Sequence, residues 1–118
     1  MKKILVADDE DILRILITDT LEDDFDVEEA EDGKEALQKI RDNDYDLIVL
    51  DYMMPYLTGL EVLEAVRNDH NTTKVLMLTA KAQDADRENA IAKGADYFMS
   101  KPFSPMELLT LVENILAS

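Results

Sequence analysis

Four short apolar runs constrain this chain more than any other feature: Ile4-Leu5-Val6-Ala7, Leu47-Ile48-Val49-Leu50, Val75-Leu76-Met77-Leu78 and the weaker Tyr97-Phe98-Met99. The first three lack the polar/apolar alternation of a strand with one wet face. They read as strands buried on both faces, as in a parallel sheet covered by helices. A further strand, Asp26-Val27-Glu28-Glu29-Ala30, alternates partly and suits a sheet edge.

Between these runs the apolar spacing becomes helical. Ile12, Leu13, Leu16, Ile17 and Leu21 recur at three and four, as do Ala36, Leu37 and Ile40, then Leu60, Leu63 and Val66. Leu108, Leu111, Val112 and Ile115 mark a last helix, while the segment from Asp84 to Lys93 is poorer, with Ala85, Ala90 and Ile91. Thr58-Gly59-Leu60-Glu61 and Ser104-Pro105-Met106-Glu107 read as capping boxes, the second with proline at the first helical position. Asp32 with Glu35 is a similar pair, and Gly94 after Lys93 is a helix stop. The order is strand then helix, five times over. Right-handed crossovers make that an open α/β parallel sheet with helices on both faces. A closed barrel of this kind needs about eight such units and is excluded by length.

A chain of 118 residues fits one domain, spanning 1–118. It has no cysteine, so disulfides, thiolate metal sites and cysteine nucleophiles are out. Met1-Lys2-Lys3 precedes only four apolar residues before Asp8, too few for a signal peptide or a membrane span. The expected protein is soluble and cytoplasmic. Its 27 acidic and 12 basic residues give a formal charge of −15, a surface that repels nucleic acid and anionic membranes.

The chemistry lies at the strand ends. Asp8-Asp9-Glu10-Asp11 succeeds the first strand, the third ends in Asp51, the fourth in Thr79, and Ser100-Lys101-Pro102 succeeds the fifth. Open α/β sheets bind ligands outside the carboxyl ends of their strands. Each residue also has a plain structural reading. Asp8 or Asp9 taken singly reads as a helix N-cap, Thr79 as a β-branched strand residue, and Lys101 as a solvated surface lysine. Asp51 resists such a reading, because a carboxylate directly after four apolar residues is costly to desolvate unless paired or metal-bound. Joint delivery to one sheet edge is what separates this set from coincidence. Close carboxylates need a cation to stay ionised together, and with few protein ligands Mg²⁺ is favoured over Ca²⁺ because it retains several waters. A metal beside Lys101 makes an anion-accepting pocket suited to phosphoryl transfer onto a carboxylate.

At this point the chain resembles the response-regulator receiver domains of two-component signal transduction. The resemblance covers essentially its whole length. It rests on Val6-Ala7-Asp8-Asp9-Glu10, on Leu47-Ile48-Val49-Leu50-Asp51-Tyr52-Met53-Met54-Pro55 with Gly59, and on Leu78-Thr79-Ala80-Lys81. It continues with Lys93-Gly94-Ala95-Asp96 and Lys101-Pro102-Phe103. The resemblance implies a flavodoxin-like, doubly wound (βα)5 fold with strand order 2-1-3-4-5. It implies Asp51 as the phospho-acceptor, with Mg²⁺ bound by Asp9, Asp51 and the backbone carbonyl of Met53, and by Asp8 through water. Lys101, the Thr79 hydroxyl and the Ala80 N–H would hold the phosphoryl group, and the Lys101–Pro102 peptide would be cis.

Switching is implied through Thr79 and an aromatic residue three before Lys101, here Phe98, where many members carry tyrosine. Tyr97 should face the opposite side of the strand. The implied partner is a sensor histidine kinase or phosphotransfer protein. The last two helices and the fifth strand would form the output surface and a possible homodimer contact. Met53 and Lys81 flank the site, where side chains could tune water access.

No effector domain follows Leu116, so the expectation is a stand-alone receiver or one cut from a longer regulator. Such a domain is no enzyme beyond its own phosphoryl transfer and slow autodephosphorylation. A receiver-like docking module that is never phosphorylated is the alternative, although every chemical position is filled. A metal hydrolase would need a second acid/base group, and the single histidine, His70, reads as an exposed loop residue. A flavin-binding flavodoxin would need a hydroxyl- and glycine-rich phosphate loop where Asp8-Asp9-Glu10-Asp11 stands.

Overall fold

The computed structural model describes residues 1–80 and 84–117, with backbone only for Asp84, Ala85 and Asp86. The elements run β1 (Lys3–Ala7), α1 (Asp11–Leu21), β2 (Asp26–Ala30), α2 (Gly33–Asp42), β3 (Leu47–Asp51), α3 (Gly59–Asn68), β4 (Lys74–Thr79), α4 (Asp84–Ala92), β5 (Tyr97–Ser100) and α5 (Pro105–Ala117). The strands form one parallel sheet in the order β2-β1-β3-β4-β5. The expected order is therefore observed, with the partly alternating β2 at an edge.

Because a strand's side chains alternate between faces, the apolar runs feed two separate cores. Leu5, Ile48, Leu50, Val75 and Met77 pack with residues of α2, α3 and α4, including Ile40, Leu63 and Ala90. Ile4, Val6, Leu47, Val49, Leu76 and Leu78 pack on the other face with Ile17 and Leu21 of α1 and Leu108, Val112 and Ile115 of α5. Phe98 joins the first core and Tyr97 the second, as expected of neighbouring strand residues.

Local signals position the helices. Thr58 and Glu61 form the reciprocal capping box at the start of α3. The Ser104 hydroxyl accepts from the Glu107 N–H at 3.0 Å. Asp32 accepts from the Glu35 N–H, while the Glu35 carboxylate accepts the Glu31 N–H instead of closing the box on Asp32. Gly94 takes φ +108 just after α4, a conformation that favours glycine, and its N–H donates to the Ile91 carbonyl.

Two helices face differently from the sequence expectation. On α1, Ile12 is 87% exposed and Leu16 43%, and the inward line is Arg14, Ile17 and Leu21. At roughly 100° per residue Ile12 lies on the far side of the helix from Ile17, so spacings of three and four alone admitted too wide a stripe. On α4, Ala90 is buried and Ile91 is half exposed; the side chain of Ala85 lies outside the described residues, as does Lys81.

Tyr56, 81% exposed in the loop after β3, has φ 68. A bulky residue in the left-handed region crowds its own backbone. Tyr56→Gly is expected to raise stability by about 0.5–1 kcal/mol in urea denaturation, since strain relief exceeds the entropy glycine adds to the unfolded chain. A loss of stability would show that the ring has packing its exposure does not suggest.

Candidate functional site

The carboxyl ends of four strands converge on one pocket. Asp8 directly follows β1, Asp51 closes β3, Thr79 closes β4, and Lys101 directly follows β5. Asp9, Asp51, Met53, Thr79, Ala80 and Lys101 line a cavity of about 360 Å³, and Asp8 lies fully buried beside them. Carboxylate oxygens of Asp8, Asp9 and Asp51 come within 4.8 Å of one another. The Lys101 ammonium donates to Asp51 Oδ1 at 3.0 Å and to Asp8 Oδ2 at 3.5 Å. The plain readings of Lys101, Asp8 and Asp9 therefore give way, while Thr79 is also the ordinary buried strand residue it was read as. Lys101 is largely enclosed, and the N-cap of α1 is Glu10, neither Asp8 nor Asp9.

The backbone holds the pocket in place. The Tyr52 N–H donates to the Leu78 carbonyl at 2.7 Å and the Lys101 N–H to the Thr79 carbonyl at 2.6 Å, so both ladders continue past the strand ends. The Lys101–Pro102 peptide is cis. Gly59 supplies something its place in a motif did not explain. A Cβ there would sit 2.0 Å from the Asp51 carbonyl oxygen, so the start of α3 lies directly on the Asp51 backbone. Any larger residue would push that backbone out of position.

Burial pushes the Asp51 carboxyl up from its ordinary 3.8 to about 6, the Asp8 charge acts in the same direction, and Lys101 opposes both. Lys101 is itself held above its ordinary value. Burial works to lower it, but the hydrogen bond to Asp51 and the charges of Asp51, Asp8 and Glu10 outweigh that. At neutral pH the pocket thus contains an ionised but poorly solvated carboxylate beside an ammonium. Three convergent carboxylates fit a hard, oxygen-seeking cation, and the pocket could bind a metal.

Thr79 is 3% exposed and shares a sheet face with Met77, whose cross-strand partner is Phe98. Phe98 is half buried on that same face. His70 is exposed after α3, away from these groups, as its loop context suggested.

Residues 4–113 match the family model described as the response regulator receiver domain. The chain belongs to that family. Among relatives, this receiver domain is 46% identical over 116 residues to the alkaline phosphatase synthesis transcriptional regulatory protein PhoP of Bacillus subtilis (strain 168), covering 98% of this chain and 48% of that protein. It is 43% identical to the transcriptional regulatory protein ResD of the same organism, over 97% of this chain and 48% of that one. The receiver therefore spans about half the length of the curated relatives it matches. Among solved structures, it matches the receiver domain of the Francisella response regulator 1452 with a TM-score of 0.94 at 37% identity, covering 99% of this chain and 98% of the other. The BeF3-activated DrrB receiver domain matches with a TM-score of 0.92 at 28% identity, over 100% and 99% of the two chains. The function of this receiver is that of a phosphorylation-activated switch.

Sequence reasoning missed one buried residue that borders the pocket without lining it. Arg14 is 6% exposed and its guanidinium reaches the Asp8 carbonyl at 2.8 Å. An arginine set between Leu13 and Ile17 on an inward stripe was the available signal, and apolar spacing alone does not register it. No helix among the described residues is long and apolar enough to cross a membrane.

Proposed function

We propose that Asp51 is the residue on which this receiver is phosphorylated, with Mg²⁺ as the resident cation. The observation that carries the reading is the Lys101 ammonium at 3.0 Å from Asp51 Oδ1, inside a cluster that also holds Asp8 and Asp9. Asp9, Asp51 and the Met53 carbonyl would hold the ion directly and Asp8 through water; when bound, it supplies positive charge to the phosphoryl oxygens. An Asp51 carboxylate oxygen forms the bond to phosphorus as the bond from phosphorus to the donor breaks, and the electron pair leaves with the donor. Lys101 neutralises oxygen charge on the other side, and the Thr79 hydroxyl and Ala80 N–H donate hydrogen bonds to the transferred group.

The donor is a histidine kinase or phosphotransfer protein. Its docking surface includes Ile12, Ile15 and Leu16 on the outer face of α1, three exposed apolar side chains on the helix that follows Asp8 and Asp9. Attraction of Thr79 to the phosphoryl group opens space on the sheet face it shares with Phe98. The Phe98 ring turns into that space and alters the surface of α4, β5 and α5, where a partner or a second copy binds. Without a hydroxyl, Phe98 signals by shape alone. The two curated relatives are transcriptional regulators of about twice this length, so a transcriptional output attached to this receiver is part of the same proposal. In this reading the domain acts on itself, moving the phosphoryl group onto its own carboxylate. No observation favours an unphosphorylated docking module.

Incubation with acetyl phosphate and Mg²⁺ is expected to add one phosphoryl group by intact mass, and chelation of the metal is expected to prevent it. Absence of an adduct, together with no stabilisation by beryllofluoride and Mg²⁺, would overturn the reading.

A further inference from the structure

We propose that Arg14 is a positioning residue for the cation site, holding the peptide between Asp8 and Asp9 so that both carboxylates face Asp51. This inference rests on reading the Asp8, Asp9 and Asp51 cluster as that site. Arg14 does not line the pocket, and nothing in the chemistry above requires it. Its guanidinium is nonetheless buried and engaged on every side. Nη1 donates to the Asp8 carbonyl at 2.8 Å, Nη2 to Asp11 Oδ1 at 2.7 Å and Nε to Glu29 Oε1 at 3.0 Å, with Glu31 Oε1 at 3.7 Å.

The Asp8 carbonyl belongs to the peptide bond that leads into Asp9. Fixing its direction fixes the plane from which the Asp9 side chain leaves. The other ends of this short connection are already tied. The Asp8 N–H donates to the Ala30 carbonyl at 3.1 Å, Asp8 Oδ1 accepts the Glu10 N–H at 2.9 Å, and the Arg14 N–H donates to the Glu10 carbonyl at 2.9 Å. The exposed Asp9 carboxylate stands between these anchors. Glu29 on β2 provides the rigid far support, since its backbone pairs in register with Val6. A planar fork with several fixed donors can orient a carbonyl and two carboxylates together, and an ammonium cannot. Groups that orient metal ligands without touching the metal commonly carry part of the affinity.

The test compares Mg²⁺ affinity by isothermal titration calorimetry, well below the unfolding temperature, in the wild type, Arg14→Lys, Glu29→Gln and Arg67→Lys. Arg14→Lys keeps the charge and the apolar stem, and it is expected to weaken Mg²⁺ binding by about tenfold. Glu29→Gln leaves Arg14 and all three aspartates in place and is expected to weaken binding in the same direction by less. Arg67 is the control, because its guanidinium binds the carbonyls of Asn71, Thr73 and Gly94 at the opposite end of the sheet. Its substitution should lower the unfolding temperature and leave Mg²⁺ affinity unchanged. Wild-type affinity in both Arg14→Lys and Glu29→Gln would overturn the inference, as would an equal loss in Arg67→Lys. A wild type that binds no Mg²⁺ would instead overturn the cation-site reading itself.

Discussion

Asp51→Asn is expected to take up no phosphoryl group from acetyl phosphate in the presence of Mg²⁺, while remaining folded. The amide has nearly the shape of the carboxylate but no anionic oxygen to attack phosphorus. The neighbouring acids are poorly placed to substitute for it. Asp8 is fully buried, with one oxygen accepting the Glu10 N–H and the other facing Lys101. Asp9 is exposed at the pocket rim, while the Lys101 ammonium is directed to Asp51 and Asp8. Intact mass should therefore show a single adduct in the wild type and none in the variant. An adduct of equal yield in Asp51→Asn would mean that another side chain is the acceptor.

The same substitution is expected to stabilise the protein at neutral pH in the absence of metal, and by a large margin. Asp51 is pushed up to about 6 in the folded chain, chiefly by burial and then by the Asp8 charge, against 3.8 ordinarily. Between these two values the folded state binds the proton and the unfolded state does not. Asp51 therefore favours folding fully below about pH 4, and this contribution is lost as pH rises through about 6. The difference corresponds to roughly 3 kcal/mol, an upper figure because Asp51 interacts strongly with the charges packed around it. Asp51→Asn should be more stable than the wild type by up to that amount at pH 7 in chelator, with the gap closing as pH falls toward 4. Groups that shift in the opposite direction, such as Glu28 beside Tyr45 and Lys3, are present in both proteins and cancel in the comparison. Mg²⁺ should stabilise the wild type and leave the variant nearly unchanged. Urea denaturation across this pH range with chelator, then with Mg²⁺, reads all of these effects. Equal stability of the two proteins at pH 7 would show that Lys101 already compensates the buried charge.

Much of the architecture was legible in the chain itself, because strand and helix patterns are local. Three unbroken apolar runs require strands covered on both faces, and parallel strands require crossovers. The partial alternation of Asp26 to Ala30 marked the edge strand. Asp51, Thr79 and Lys101 were recognisable by their position after those runs, since a parallel sheet gathers the ends of its strands on one edge. Resemblance to the receiver family then supplied the strand order and the expected roles.

Other properties depended on groups far apart in sequence and became readable only in three dimensions. The Lys101–Asp51 contact joins residues 50 apart and the Lys101–Asp8 contact residues 93 apart, and the Asp51 carboxyl is raised by burial and the Asp8 charge against the pull of Lys101. Which face of α1 turns inward was decided by packing against β1 and α5, and that packing left Ile12 and Leu16 outside. Burial of Arg14 needed acceptors from Asp8, Asp11 and Glu29 at once, including one from the neighbouring strand β2. Gly59 matters because α3 lies against the Asp51 backbone, and Tyr56 is strained by the loop that brings α3 there. Periodicity is read over a few residues and determined which elements form; distance, burial and charge coupling depend on how the crossovers close, and the tertiary structure alone decided them.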